Sequence, residues 1–107
     1  MPQESKTWVS GNWRVAEGNA EAFVDRWTEF LTWTKDANPG FISARLIRDL
    51  KDPLHFVSLA SWQDIDSVKA WQQQPEFAER FQLCQALCTD MDSSVYELAR
   101  AIRSHTA

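Results

Sequence analysis

Apolar positions along the chain switch between a spacing of two and a spacing near 3.6, and each switch marks a new element. Residues 7–15, TWVSGNWRV, alternate in character and are rich in Trp and Val, which predicts a strand. Gly18 and Asn19 follow, with Asn19 placed to cap a helix that begins at Ala20. Phe23, Trp27, Phe30, Leu31 and Thr34 then recur at helical spacing, one buried stripe running to about Asp36. Trp33 lies nearly a quarter turn off that stripe. Asn38-Pro39-Gly40 ends the helix, since proline cannot continue it and glycine supplies the turn.

Two strand-like segments follow, Phe41–Asp49 and His55–Trp62, joined through the turn signal Asp52-Pro53. In the second, Phe56, Ala60 and Trp62 share one parity and Val57 and Leu59 the other. A sheet with one wet face alternates cleanly, so this pattern predicts a sheet buried on both faces. Asp64 reads as an N-cap for a helix carrying Ile65, Val68 and Trp71 on one side, and Pro75 restarts a second helix at its first position. Phe77, Phe81, Cys84 and Cys88 form its stripe. The polar stretch TDMDSS reads as a loop, VYELARAIR as the last strand, and His105 as part of a short polar tail.

That order, β-α-β-β-α-β, predicts a ferredoxin-like α+β fold. Four antiparallel strands form the sheet and the helices cover one face. The face left open is still apolar, which predicts a homodimer whose two sheets close against each other. With 107 residues and no linker or repeat, one domain spanning 1–107 is expected, its core at about 7–103.

Composition narrows the function classes. A net charge of −4 removes the basic excess that nucleic-acid binding needs. No apolar run is long enough to span a membrane, and MPQESKT lacks a signal-peptide pattern, so a cytoplasmic location is expected. Three glycines leave no phosphate-binding loop or dinucleotide fingerprint, and no nucleophile elbow or paired-carboxylate spacing occurs. Cys84 and Cys88, four apart, read as structural thiols rather than a disulfide or a zinc site. Six tryptophans, at 8, 13, 27, 33, 62 and 71, exceed what a core of this size requires. Trp8 and Trp13 point to opposite faces of one strand, so at most one of them lines a pocket.

Pro39-Gly40-Phe41-Ile42-Ser43-Ala44, Phe56-Val57-Ser58-Leu59-Ala60-Ser61-Trp62, the helix leading to Trp71, and Pro75-Glu76-Phe77 occur in a characteristic order. In these residues the sequence resembles the antibiotic biosynthesis monooxygenase family of dimeric α+β barrels, over about residues 7–103. The resemblance implies either a cofactor-independent oxygenase acting with O2 on a quinol- or anthrone-like aromatic small molecule, or a heme-degrading branch that uses an Asn, a Trp and a heme-ligating His. Asn12 looks like the family Asn and Trp71 like the family Trp. The His position falls on Phe81, which offers iron no ring nitrogen, so heme as cofactor is disfavoured. A non-catalytic ligand-binding or assembly module on the same fold is the remaining alternative.

Oxygenation without metal or flavin needs a substrate that supplies its own electrons, held as an anion in a water-poor aromatic cavity. Asn12, Trp71 and Tyr96 are the catalytic candidates: an amide donor, a ring wall, and the only phenol in the chain. Trp33, Phe81 and Arg45 are the candidates for substrate binding, and no metal ligands are expected. Each also has a structural reading: Asn12 at a sheet edge, Trp71 in the core, Tyr96 and Trp33 against a dimer partner, Arg45 solvated. Arg14 reads as solvated at a strand end, Trp62 as structural, and His55 as exposed beside a turn.

Overall fold

Backbone pairing in a computed structural model, which describes residues 6–104, gathers the strands into one antiparallel sheet. In chain order the elements are β1 (Thr7–Val15), α1 (Ala20–Ala37), β2 (Phe41–Arg48), β3 (His55–Trp62), α2 (Ile65–Gln72), α3 (Pro75–Gln85) and β4 (Cys88–Glu97). The sheet order is β2-β3-β1-β4, the ferredoxin-like arrangement the sequence predicts. Proline at the first turn of α3 separates it from α2, where its missing N–H costs nothing.

Strand parity assigns the two faces. Val9, Trp13 and Val15 of β1, with Phe56, Ala60 and Trp62 of β3, are buried under the helices. They pack against Phe23 and Phe30 of α1, Val68 and Trp71 of α2 and Cys84 of α3. The opposite parity carries Asn12 and Arg14 of β1, Arg45 and Ile47 of β2, Val57 and Leu59 of β3, and Asp92 and Tyr96 of β4. No helix of the described residues covers that face. Ile47 and Tyr96 are 54% and 55% exposed there. Trp8 and Trp13 do lie on opposite faces, as their spacing requires.

The helix ends differ in how they are held. Asp64 caps α2 as expected, its carboxylate accepting the Ser67 N–H at 2.8 Å. Asn19 precedes α1 but makes no side-chain cap; its amide instead donates to the Leu87 carbonyl at 3.4 Å, which ties α1 to the α3–β4 junction. Gly40 sits in the expected turn, closed by the Phe41 N–H donating to the Asn38 carbonyl at 3.1 Å, and a glycine is needed there for space. A Cβ there would lie 2.2 Å from Ser67 Oγ, and among the described residues the positive φ belongs to Gly18, at +87°.

The last strand departs from expectation. TDMDSS is part of β4 rather than a loop, and β4 stops at Glu97 instead of running to Arg103. β1 explains both ends. Its backbone pairs with β4 from Arg14↔Asp90 to Thr7↔Glu97, and the Leu98 N–H donates to the Lys6 carbonyl at 2.7 Å. An edge strand tolerates polar side chains because its ladder is made by backbone groups. Beyond Leu98 the described chain forms no regular element, despite its alternating residues. Cys88 accordingly opens β4 and does not continue the α3 stripe, and its thiol donates back to the Cys84 carbonyl at 3.4 Å. His105 lies outside the described residues.

Candidate active site

Between the sheet and the helices lies a cavity of about 40 Å³ walled chiefly by rings. Trp71 forms one side. Its indole N–H donates to Thr34 Oγ1 at 3.0 Å, and that hydroxyl donates to the Phe30 carbonyl at 2.8 Å, so the ring is fixed edge-on to α1. Phe30 stacks on Trp71 at 5.7 Å and 17° between planes, while Phe77 meets it edge-on at 4.7 Å. Phe77 and Phe81 lie nearly parallel, 5.5 Å apart, two ring faces one helical turn apart on α3. Trp13 closes the sheet side, with its ring 5.7 Å from Phe81 and 5.1 Å from Phe23.

Polar groups enter this cavity from the sheet. Gly11 lies at its floor, flanked across the ladder by Ser58 of β3 and Ser93 of β4. The Trp13 indole lies over Gly11 and donates to Ser58 Oγ at 3.0 Å; a Cβ on Gly11 would come within 2.5 Å of both groups. Gln72 of α2 also borders the cavity. Among the described residues, none that lines it is charged.

Of the residues singled out from the sequence, Trp71 and Phe81 border this cavity and four others do not. Asn12 lies on the open face of the sheet, because side chains alternate and the cavity takes Gly11 and Trp13 instead. Its Oδ1 is 2.5 Å from His55 Nε2, and His55 Nδ1 is 3.0 Å from Asp49 Oδ2. The Asp49 carboxyl is held below its ordinary range, first by the His55 hydrogen bond and then by the Lys51 N–H. His55, read as exposed beside a turn, is thus half-buried and bonded on both ring nitrogens. Tyr96 shares with Asn12 an open groove of that face, alongside Val57, Leu59 and Asp92. Arg45 is exposed on the same face. Trp33 sits on the outer surface of α1, stacked on Phe30 at 6.5 Å with the Arg80 guanidinium 5.9 Å above its ring. Arg14, solvated as its position suggests, pairs with Asp52 at 2.8 Å.

Sequence reading passed over Gly11, Ser58 and Ser93. The signal for Ser58 is its parity: it stands between Phe56 and Ala60 on the buried side of β3, a polar residue where the pattern asks for an apolar one.

Heme does not fit these residues. Phe81 places a phenyl ring in the cavity wall, and a space of about 40 Å³ holds ordered water rather than a macrocycle. Among the described residues no group of three or more His, Cys, Asp or Glu converges as metal ligands would. No helix of the described residues is long and apolar enough to cross a membrane.

The sequence profile of the antibiotic biosynthesis monooxygenase family matches residues 8–82. A search of the curated proteins finds no significant match. Among solved structures, SnoaB, a cofactor-independent oxygenase from Streptomyces nogalater, superposes with a TM-score of 0.84 at 19% identity, covering 94% of this chain and 100% of that one. A conserved protein from Methanosarcina mazei Go1 superposes with a TM-score of 0.77 at 18% identity, covering 86% of this chain and 91% of that one. At these identities the likeness establishes the fold.

Proposed function

The chain belongs to the antibiotic biosynthesis monooxygenase family, and on that premise we propose that it is a cofactor-independent oxygenase of a quinol- or anthrone-like aromatic small molecule. The observation that carries this reading is the ring-walled cavity itself, where Trp71, Phe77 and Phe81 present aromatic faces and uncharged donors enter from the sheet. Such a site suits an electron-rich ring. An anthrone, once deprotonated, gives its electrons directly to O2; one oxygen atom becomes the new quinone carbonyl and the other leaves as water. The protein's share of the work is to hold the ring, favour its anion through directed hydrogen bonds, and keep water out.

An aromatic ring enters only if the wall yields, since the cavity holds about 40 Å³ and a cavity known to take benzene measures roughly 150 Å³. Trp27, Leu31, Phe77, Phe81 and Met91 are partly buried and stand at the boundary where such yielding is cheapest. The test is oxygen uptake by metal-free protein supplied with anthrone. Uptake above the spontaneous rate, abolished by filling the cavity, is expected; no turnover across a panel of anthrones and hydroquinones overturns the reading.

The small volume of the cavity favours a second reading, a non-catalytic binding or assembly module whose rings serve packing alone. A crystal structure with anthrone discriminates, because the module reading leaves the cavity closed and empty of ligand.

The open sheet face supports a homodimer. Exposed Ile47 and Tyr96 and half-buried Val57 and Leu59 lie on it. Arg45 on β2 and Asp92 on β4 stand towards opposite edges, so packing about a two-fold axis parallel to the strands sets unlike charges against each other. Sedimentation at micromolar concentration should show a dimer; a monomer there overturns this.

A further inference from the structure

We propose that Ser58 and Ser93 are the residues by which the cavity selects an aromatic ring carrying oxygens on opposite sides, in preference to a bare hydrocarbon ring; this rests on the cavity being the substrate site. The two serines are the cross-strand neighbours of Gly11, one on each side, and all three border the cavity. Adjacent strands lie roughly 4.8 Å apart, so the serines stand about 10 Å apart. That separation is too wide for two bonds to one oxygen and suits two oxygens across one ring.

Ser58 is prepared to donate. The Trp13 indole N–H is a donor only, and its bond to Ser58 Oγ at 3.0 Å occupies a lone pair of the hydroxyl, not its proton. A hydroxyl that accepts one hydrogen bond is polarised towards giving another. Among the described residues Ser58 makes no other side-chain hydrogen bond, and Ser93 makes none. Around Ser58 the wall is rings and methyl groups, with no carboxylate to repel a phenolate, while Ser93 stands exposed at the rim on the edge strand. An unspent donor in such surroundings is matched by a carbonyl, phenol or phenolate oxygen and by nothing else on the wall.

The geometry also explains why Gly11 is bare. Any side chain there would displace the Trp13 indole from Ser58 and so remove the orientation of the hydroxyl.

The test uses two probes under nitrogen, 1,4-dihydroxynaphthalene and naphthalene, titrated into the folded protein while the Trp13 indole N–H resonance is followed. The diol is expected to bind more tightly than the hydrocarbon. Ser58→Ala and Ser93→Ala should each weaken the diol by about tenfold and leave naphthalene within about twofold. Ser58→Thr, which keeps a hydroxyl, should retain the preference. Ser93 has no hydrogen-bonded side-chain partner, so its alanine variant tests the proposal even if Ser58→Ala folds poorly. Binding of both probes with no preference for the diol, or a preference that survives both alanine variants, overturns the serine assignment alone. Binding of neither probe overturns the assignment together with the reading of the cavity on which it rests.

Discussion

Asn12 and His55 meet on the open face of the sheet, with Asn12 Oδ1 2.5 Å from His55 Nε2 across the β1–β3 pair. Strand alternation turns Asn12 away from the aromatic cavity that Trp71 and Phe81 share, and the contact places a carboxylate–imidazole–amide chain, Asp49–His55–Asn12, where a second sheet would pack.

Asn12→Ala therefore separates the two faces. Oxygen uptake with anthrone should stay within about twofold of the parent. The His55 ring resonances should shift, because Nε2 loses its acceptor. A fall in turnover of the ~10²–10³ size expected for a lost oxyanion donor would place Asn12 at the reaction after all.

The Asp49 end of that chain responds to acid. The Asp49 carboxyl sits below its ordinary value of 3.8 because His55 donates to it. A lowered carboxyl stabilises the fold above the unfolded value and loses that contribution as pH falls through the folded one. NMR titration of Asp49 should show a midpoint below 3.8, moving back towards it in His55→Ala.

Trp71 carries both packing and a hydrogen bond. Trp71→Ala should cost about 3–5 kcal/mol in denaturant unfolding. Thr34→Val, which strands the buried indole N–H, should cost about 1–3 kcal/mol. Equal stability of Thr34→Val and the parent would show that the 3.0 Å bond to Thr34 contributes nothing net.

Gly11→Ala tests the cavity floor. With Ser58 and Trp13 both 2.5 Å from the new Cβ, one must move, at a cost of about 1–3 kcal/mol, and ring binding should fall with it. An alanine variant that binds as the parent does would remove Gly11 from the site.

The thiols should be slow to react. Burial pushes Cys84 up to about 12 and Cys88 up to about 11, from 9.0. Alkylation by iodoacetamide at pH 8 should be far slower in the native protein than in urea. In the unfolded chain the thiols ionise from about 9.0, so their protonated burial stabilises fully below that pH. The contribution is lost as pH rises through 11 and 12, which alkaline unfolding should register.

Much of this was legible from residues alone. Helical spacing of Phe23, Trp27, Phe30 and Thr34 set the buried stripe of α1, and parity in 55–62 separated the two faces of β3. Pro75 marked the break between α2 and α3, and Asp64 the cap of α2. These are local effects, governed by backbone geometry and nearest neighbours. β4 was not legible, because an edge strand is defined by the partner it meets. Met91 is the half-buried anchor of a segment that otherwise looks like loop.

The site divides along the same line. Sequence by itself determined that Trp71 and Phe81 belong to one apolar layer, since helix periodicity places each on an inward stripe. Tertiary structure decided which face Asn12 takes, because side-chain direction in a strand reverses with every residue and a shift of one exchanges cavity for open face. It also decided that Ser58, Gly11 and Ser93 stand side by side, although 47 and 82 residues separate Gly11 from the two serines. Cross-strand neighbours are fixed by register, and register is a property of the assembled sheet.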